Sequence, residues 1–363
     1  MVTVIVAILI LYCLLVLAAA VALGRAFKPQ DLPAVPVRRI SVIIPFRNES
    51  AALPSLLAGL ARQDHPADAL EFIFVDDHST DDSAAIVSAA GLPFLNLLTL
   101  PEGTFGKKNA LTLGVGAATG ELLVFTDADC HHPPGWLSEV NRSFSSDQVR
   151  MAIGLVRMLP YGWQSLEFSA LSAITAVTTM IGRPVLCNGA NLACRRADFL
   201  QAGGYEGNLH IASGDDEFLM RKFRRLYPQG IRLIGRLEGV VTTAPQPDIL
   251  SFFRQRVRWA GKWKHNTDRL ARVVAVLVLL VQVVTISAVI FLIAGGNDLL
   301  ALPLFARFVA EGWFLYRISR RLAIPFRIGD FLAAIILYPG YVLATGLFSL
   351  FLKPEWKGRV ATT

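Results

Sequence analysis

Apolar positions crowd the two ends of the chain. Residues 1–23 contain no charged side chain, and about 20 consecutive apolar residues suffice for a helix to cross the hydrocarbon core of a bilayer. No basic residue precedes this run, and it is too long for the apolar segment of a signal peptide, so it predicts a retained anchor. A second run, 273–296, has Gln282 as its only strongly polar side chain. The third, 299–316, holds Arg307 and Glu311, four residues apart and therefore on one helix face. It reads either as an interfacial or buried helix or as a membrane helix that turns the pair toward other helices. The fourth, 331–352, is charge-free and contains Pro339-Gly340. The C-terminal block thus predicts two to three spans.

Between these ends the pattern shortens and alternates. Residues 39–45 read as a buried strand ending at Pro45, and 50–63 have helical spacing through Leu53, Leu56, Leu57 and Leu60. A second buried strand, 70–75, ends at Asp76-Asp77. A helix capped by Asp and Ser starts near Asp82. Residues 95–100 form a third strand and 109–118 a helix. A fourth strand, 121–126, ends at Asp127-Ala128-Asp129. Strand and helix in alternation predict an α/β domain with a mostly parallel sheet. Ligands of such sheets bind beyond the carboxyl ends of the strands. The polar clusters Arg47-Asn48-Glu49, Asp76-Asp77 and Asp127-Ala128-Asp129 fall there. The expected organisation is an anchor (1–24), a cytoplasmic domain (25–271), a transmembrane block (272–352) and a tail (353–363).

Composition agrees with this division. Of 363 residues, 53% are hydrophobic and only 17% charged, and the mean hydropathy is +0.49. That excludes a disordered or collagen-like chain. Four cysteines do not make a disulfide framework. The net charge of +7 would suit nucleic acid, but the basic residues line the apolar runs instead, so no nucleic-acid partner is expected. Arg25, Lys28, Arg38 and Arg39 follow the first run. Arg254, Arg256, Arg258, Lys262, Lys264, Arg269 and Arg272 precede or open onto the second. Arg317, Arg320, Arg321 and Arg327 follow the third. The positive-inside rule then places the N-terminus outside and the large domain in the cytoplasm, as in a bacterial inner-membrane protein. Lys353, Lys357 and Arg359 in the tail resist this, since four spans would put them outside. Either the third run does not cross, or the tail departs from the rule.

Several clusters carry candidate chemistry. Asp127 and Asp129, two apart at a strand end, can share one hard cation such as Mg²⁺ or Mn²⁺ with substrate phosphates; otherwise they are a solvated turn. A zinc site from Cys130, His131 and His132 would need three adjacent residues to ligate one ion. Gly103 to Lys108 fails the P-loop spacing, yet Lys107 or Lys108 can neutralise a diphosphate. Ser213-Gly214-Asp215-Asp216-Glu217 reads as a general base or as an acidic helix N-terminus. Gln255-Arg256-Val257-Arg258-Trp259 reads as a phosphate grip with a stacking ring or as a juxtamembrane anchor. The apolar stretch 166–181 is either an interfacial helix that guides a lipid or a buried core helix.

Taken in order, these motifs resemble the membrane-bound family 2 glycosyltransferases, of synthase-like or ceramide glucosyltransferase-like type. Ser41 to Glu49 is similar to the family's opening strand and Pro-x-Tyr-Asn-Glu turn, with Arg47 in the tyrosine position. Val75-Asp76-Asp77-His78-Ser79-Thr80-Asp81 resembles Val-Asp-Asp-Gly-Ser-x-Asp, with His78 in place of glycine. Gly106-Lys107-Lys108-Asn109-Ala110-Leu111 and Asn188-Gly189-Ala190-Asn191 also have counterparts, as does Gln255-x-x-Arg258-Trp259. The resemblance implies a GT-A fold and inverting, metal-dependent transfer from a nucleoside-diphosphate sugar, with UDP favoured, to a lipid or polysaccharide acceptor. It implies that Pro45, Glu49 and Asp77 hold the nucleoside and that Lys107, Gln255, Arg258 and Trp259 complete the donor site. Asp127 and Asp129 would hold Mg²⁺ or Mn²⁺, Gly189, Ala190 and Asn191 would meet the acceptor, and Asp216, beside Asp215, would be the base. The alternatives are a processive polysaccharide synthase, or a transporter or pseudoenzyme with a nucleotide-binding domain.

Overall fold

The computed structural model describes residues 2–27, 35–209, 211, 213–262, 266–352, 355–356 and 359–360. Lys28, Trp263, Lys264, Lys353 and Lys357 lie outside the described residues, as do the side chains of the tail. In chain order the first half holds α1 (Val2–Ala26), β1 (Ile40–Phe46), α2 (Leu53–Leu60), β2 (Leu70–Asp76), α3 (Ser83–Ser88), β3 (Leu95–Thr99), α4 (Lys107–Ala117), β4 (Leu122–Phe125), α5 (Trp136–Ser143), β5 (Met151–Gly154), β6 (Val156–Met158) and α6 (Trp163–Met180). The second half holds β7 (Leu192–Arg195), α7 (Arg196–Gln201), α8 (Asp215–Leu226), β8 (Ile231–Ile234), β9 (Val241–Thr243), α9 (Ile249–Gly261), α10 (Arg269–Ile293), α11 (Ala301–Arg321), α12 (Ile328–Phe348) and the short pair β10 (Glu355–Trp356) and β11 (Arg359–Val360).

The chain divides into two compact units. One comprises Pro29–Met158, Thr178–Ala244 and Pro354–Thr363; the other comprises Met1–Lys28, Leu159–Val177 and Pro245–Lys353. The first is built on a seven-stranded sheet of order β3-β2-β1-β4-β7-β5-β8. Only β7 runs antiparallel to its neighbours, so the sheet is mostly parallel, as the alternating pattern predicts. Its central strands are apolar on both faces because helices cover both. Ile43, Ile73, Val75, Leu123 and Phe125 join Ala110, Leu111 and Val115 of α4 and Leu219, Met220 and Phe223 of α8 in one core. Gly114 lets α4 lie this close, since a Cβ there would come within 2.6 Å of Ile43.

Register then sets the site. Phe46 pairs with Asp76, and Ile43 with both Ile73 and Phe125. The carboxyl ends of β1, β2 and β4 therefore lie side by side, and the segments that follow them carry Glu49, Asp77 and Asp127. One local expectation is corrected. Asp82 makes no side-chain cap to α3. Asp81 accepts from the Ser83 N–H instead, at 3.1 Å.

Among the described residues, the second unit contains four helices long and apolar enough to cross a membrane: α1, α10, α12, and α11 together with the turn from Asp298 that leads into it. Ile5 and Leu9 of α1 pack with Val284 and Ala288 of α10 and with Leu300. Arg307 and Glu311, the polar pair of the third run, face these helices. Arg307 Nε donates to Glu311 at 2.9 Å, Nη2 donates to Gln282 at 3.0 Å, and Nη1 donates to Thr285. Glu311 also accepts from the Tyr12 hydroxyl at 2.7 Å.

This unit also takes in 159–177 and 245–271, which the sequence assigns to the catalytic domain. A buried ion pair links these segments to the apolar helices. Arg256 of α9 donates to Glu167 of α6 at 2.5 Å, and Tyr341 of α12 donates to the same carboxylate at 2.5 Å. Ring contacts between Trp163 and Phe252, Phe168 and Trp259, and Phe252 and Tyr341 join the same helices, and the pair keeps either buried charge from standing alone.

Candidate active site

The first wall of the site is the pair of turns after β1 and β2. Arg47 Nη1 donates to the carbonyls of Asp77 and His78, both at 2.7 Å, and so ties the turns together. His78 sits at φ 56°, in the left-handed region that favours glycine, the residue of the resembled motif. Its Nε2 lies 3.1 Å from the Thr104 carbonyl, and its ring is 5.1 Å from that of Phe105. Asp77 is fully buried, and its Oδ2 accepts from the Gly106 N–H at 2.9 Å, just ahead of α4. The Glu49 N–H donates to Ser83 Oγ at 2.8 Å, while Pro45 is buried within β1.

Helix α4 opens with Lys107, whose ammonium is the centre of the site. Nζ lies 2.5 Å from Asp127 and 3.6 Å from Asp215. Burial alone would depress the lysine, but Asp127, then Asp215 and Asp216, outweigh it and hold the ammonium above the usual lysine range. Asp215, Asp216 and Glu217 form the first turn of α8, where the helix dipole favours acids. The acidic helix start and the candidate base are thus the same feature. Asp216 Oδ2 accepts from the Gly189 N–H at 3.0 Å, and its Oδ1 accepts from the Glu217 N–H at 2.7 Å. A Cβ on Gly189 would stand 3.0 Å from Asp215 Oδ2 and 3.5 Å from Lys107 Nζ. Its absence lets three charged groups converge on one piece of backbone.

Asp127 is half-buried and Asp129 exposed beyond β4. Among the described residues, no group of three or more His, Cys, Asp or Glu is placed to hold a metal ion. Two carboxylates with hard oxygen donors suit a cation that takes the rest of its shell from phosphates, as Mg²⁺ and Mn²⁺ do. The zinc reading fails on geometry. The Cys130 thiol lies 3.7 Å from Asp129, His131 bonds to Ser55 at 2.8 Å, and His132 bonds to Thr126 at 2.8 Å. His132 stacks on Trp136, and burial, then His131, push it down to about 3, so it is neutral.

Other candidates are redistributed. Asn191 is fully buried, and its side chain is engaged within the protein: its Oδ1 accepts from Trp136 Nε1 at 3.0 Å, and its Nδ2 donates to the Leu155 and Gly239 carbonyls at 2.9 and 2.8 Å. Ala190 is also buried, with its carbonyl taken by the Thr126 hydroxyl at 2.9 Å. Of the three expected acceptor residues, only Gly189 reaches the carboxylates. Lys108 turns away from Asp127 toward the carbonyls of Asn208 and Ile211. Gln255, Arg258 and Trp259 lie on α9 in the other unit. There Gln255 accepts from Arg256 at 2.5 Å, and the Arg256 guanidinium lies 4.4 Å over the Trp259 ring. Thr126, Trp136 and Glu167 were not anticipated. Each gains its meaning only from a partner far away in sequence: Ala190 for Thr126, Asn191 for Trp136 and Arg256 for Glu167.

Residues 41–173 match the family described as Glycosyl transferase family 2. A 4,4'-diaponeurosporenoate glycosyltransferase of Staphylococcus haemolyticus is 34% identical over 146 residues, which cover 39% of this chain and 37% of that protein. An undecaprenyl-phosphate 4-deoxy-4-formamido-L-arabinose transferase of Sodalis glossinidius is 36% identical over 101 residues, covering 27% and 31%. The chain thus spans about a third of the length of these relatives. A mannosyltransferase from Pyrobaculum calidifontis, solved in complex with GDP-Man and Mn²⁺, is similar at a TM-score of 0.60 and 22% identity, over 96% of this chain and 99% of that one. The family match ends before Gly189 and α8, so geometry alone joins those to the site. The chain therefore has an α/β GT-A fold, within which residues 41–173 are similar to glycosyl transferase family 2.

Proposed function

We propose that this protein is an integral membrane glycosyltransferase that moves a hexose from a nucleoside-diphosphate sugar to a lipid acceptor, with inversion at the anomeric carbon. The observation that carries the reading is the convergence of Lys107, Asp127, Asp215 and Asp216 around the Gly189 backbone. Asp216 takes the proton of an acceptor hydroxyl as its oxygen attacks C1, and the bond from C1 to the diphosphate breaks on the opposite face. Lys107 supplies fixed positive charge where negative charge grows on the departing diphosphate. Asp129, with Asp127, would hold a divalent cation, which when bound neutralises the same leaving group. Asp77, with Pro45 and Glu49 nearby, holds the nucleoside.

Four long apolar helices and relatives named for lipid substrates support a lipid acceptor over a polysaccharide. Basic residues on either side of the apolar runs support a cytoplasmic catalytic domain in a bacterial inner membrane. The sequence resemblance favours UDP, while the structural neighbour carries GDP-Man, so both donors enter the test. The purified full chain is incubated with radiolabelled UDP-glucose, UDP-N-acetylglucosamine or GDP-mannose, a native lipid extract, and Mn²⁺ or Mg²⁺. Label in the lipid fraction with release of nucleoside diphosphate supports the reading. No release from any donor contradicts it.

A further inference from the structure

The segment that leads into Gly189 is tied to α8 at both ends, and segment and helix lie in the same α/β unit. Before it, α6 ends in a turn. Gly182, at φ 72°, and Arg183 donate their N–H groups to the carbonyls of Thr179 and Thr178, at 3.0 and 2.8 Å. Pro184 follows, and its carbonyl accepts from Arg224 Nη1 at 2.9 Å. Five residues later, the Gly189 N–H donates to Asp216 Oδ2 at 3.0 Å. Arg224 and Asp216 both belong to α8.

The lengths agree. Asp216 and Arg224 are eight residues apart, about 12 Å along a helix that rises 1.5 Å per residue. Residues 184–189 span at most about 17 Å when fully extended, and the burial of Val185 and Cys187 narrows the paths open to them. Beyond Gly189 the chain is already fixed, since the Ala190 carbonyl takes the Thr126 hydroxyl and the Asn191 side chain makes three bonds. What is left to set is the approach from Pro184. Arg224 is half-buried, and burial, then Arg183 and Arg221, push it below the usual arginine range. The bond to the Pro184 carbonyl offsets part of that cost.

We propose that Arg224 is a positioning residue for sugar transfer: by tying the Pro184 carbonyl to α8, it sets the path of 184–189 and so the point at which the Gly189 N–H meets Asp216. Arg224 acts through that backbone and touches no reacting atom. The proposal rests on the transferase reading above, in which Asp216 is the base.

The test uses the purified full chain, the donor that wild type turns over and a native lipid extract. It compares wild type, Arg224→Met, Arg224→Gln, Asp216→Asn and the double variant of Arg224→Met with Asp216→Asn. Single-turnover transfer should slow about tenfold in Arg224→Met, the loss expected when a catalytic group is misplaced. Affinity for the nucleoside diphosphate should stay within about twofold, and hydrogen exchange across 185–189 should rise. Arg224→Gln keeps a polar end in this half-buried place but falls short of the carbonyl. It should show the same loss, which keeps the idea testable if Arg224→Met fails to fold. Residues that act through one another are not additive, so Arg224→Met should cost nothing further in the Asp216→Asn background. Wild-type transfer in a folded Arg224→Met or Arg224→Gln, or a second tenfold loss in the double variant, overturns the proposal. If wild type transfers no sugar, or Asp216→Asn is as fast as wild type, the reading of the site fails and takes the role of Arg224 with it. Exchange across 185–189 then still judges the tie to α8, and unchanged exchange overturns it.

Discussion

The backbone N–H of Gly189 donates to Asp216 Oδ2 at 3.0 Å, in a space where an added Cβ would be tight. A Cβ there would press on Asp215 Oδ2 at 3.0 Å, so Gly189→Ala must displace one carboxylate by a few tenths of an ångström. Misplacing a catalytic group on this scale costs about tenfold to a hundredfold in rate. We expect that loss in kcat from Gly189→Ala, with a melting temperature within a few degrees of wild type. A large drop in melting temperature would show that the glycine serves packing instead.

Asn191 provides the converse case. Its three internal hydrogen bonds make it scaffold. Asn191→Ala would strand the Trp136 N–H and two carbonyls, at about 1–3 kcal/mol for each buried group left unpaired. The expected result is a clear fall in thermal stability, with the acceptor KM of the folded fraction unchanged. A raised acceptor KM in a stable Asn191→Ala would restore this residue to the acceptor site.

The polar pair in the third apolar run separates charge from packing. Removing one partner of a buried ion pair costs about 3–5 kcal/mol, whereas replacing both with apolar residues of similar size is often neutral. Glu311→Gln should therefore lower the melting temperature in detergent, and the double change Arg307→Met with Glu311→Leu should recover most of it. Equal losses in the single and double variants would mean that the pair contributes through shape alone.

His132 gives a sign-defined dependence on pH. Its folded pKa, pushed down to about 3, lies below the ordinary value of 6.5. Between those limits the unfolded chain binds a proton that the folded one refuses, so this group makes stability fall as pH drops below 6.5, by up to about 1.4 kcal/mol per pH unit. His132→Gln should flatten that slope in melting temperature between pH 7 and 5. A slope unchanged by the substitution would assign the acid sensitivity to other groups.

The first half of the α/β unit was legible because its signals are local. The strands from Ile40, Leu70, Leu95 and Leu122 are short apolar runs closed by Pro or Asp, and the carboxylates that follow them stand where parallel sheets bind ligands. The second half was not, because its elements are defined by partners far away in sequence. The four residues of β7 gain their place by pairing with both β4 and β5. Lys107 and Lys108 are adjacent and alike in sequence, and only the fold turns one toward Asp127 and the other toward the Asn208 and Ile211 carbonyls. The acidic run at Asp215 was visible as a run. That Asp216 is the member joined to Gly189 depends on the helix starting at Asp215.

The central claim is that Asp216 removes the acceptor's proton. The most direct measurement is single-turnover sugar transfer by purified Asp216→Asn, beside its affinity for the nucleoside diphosphate. Loss of a general base predicts transfer slower by about 10²–10⁴-fold with nucleotide affinity preserved. Turnover equal to wild type would contradict the account.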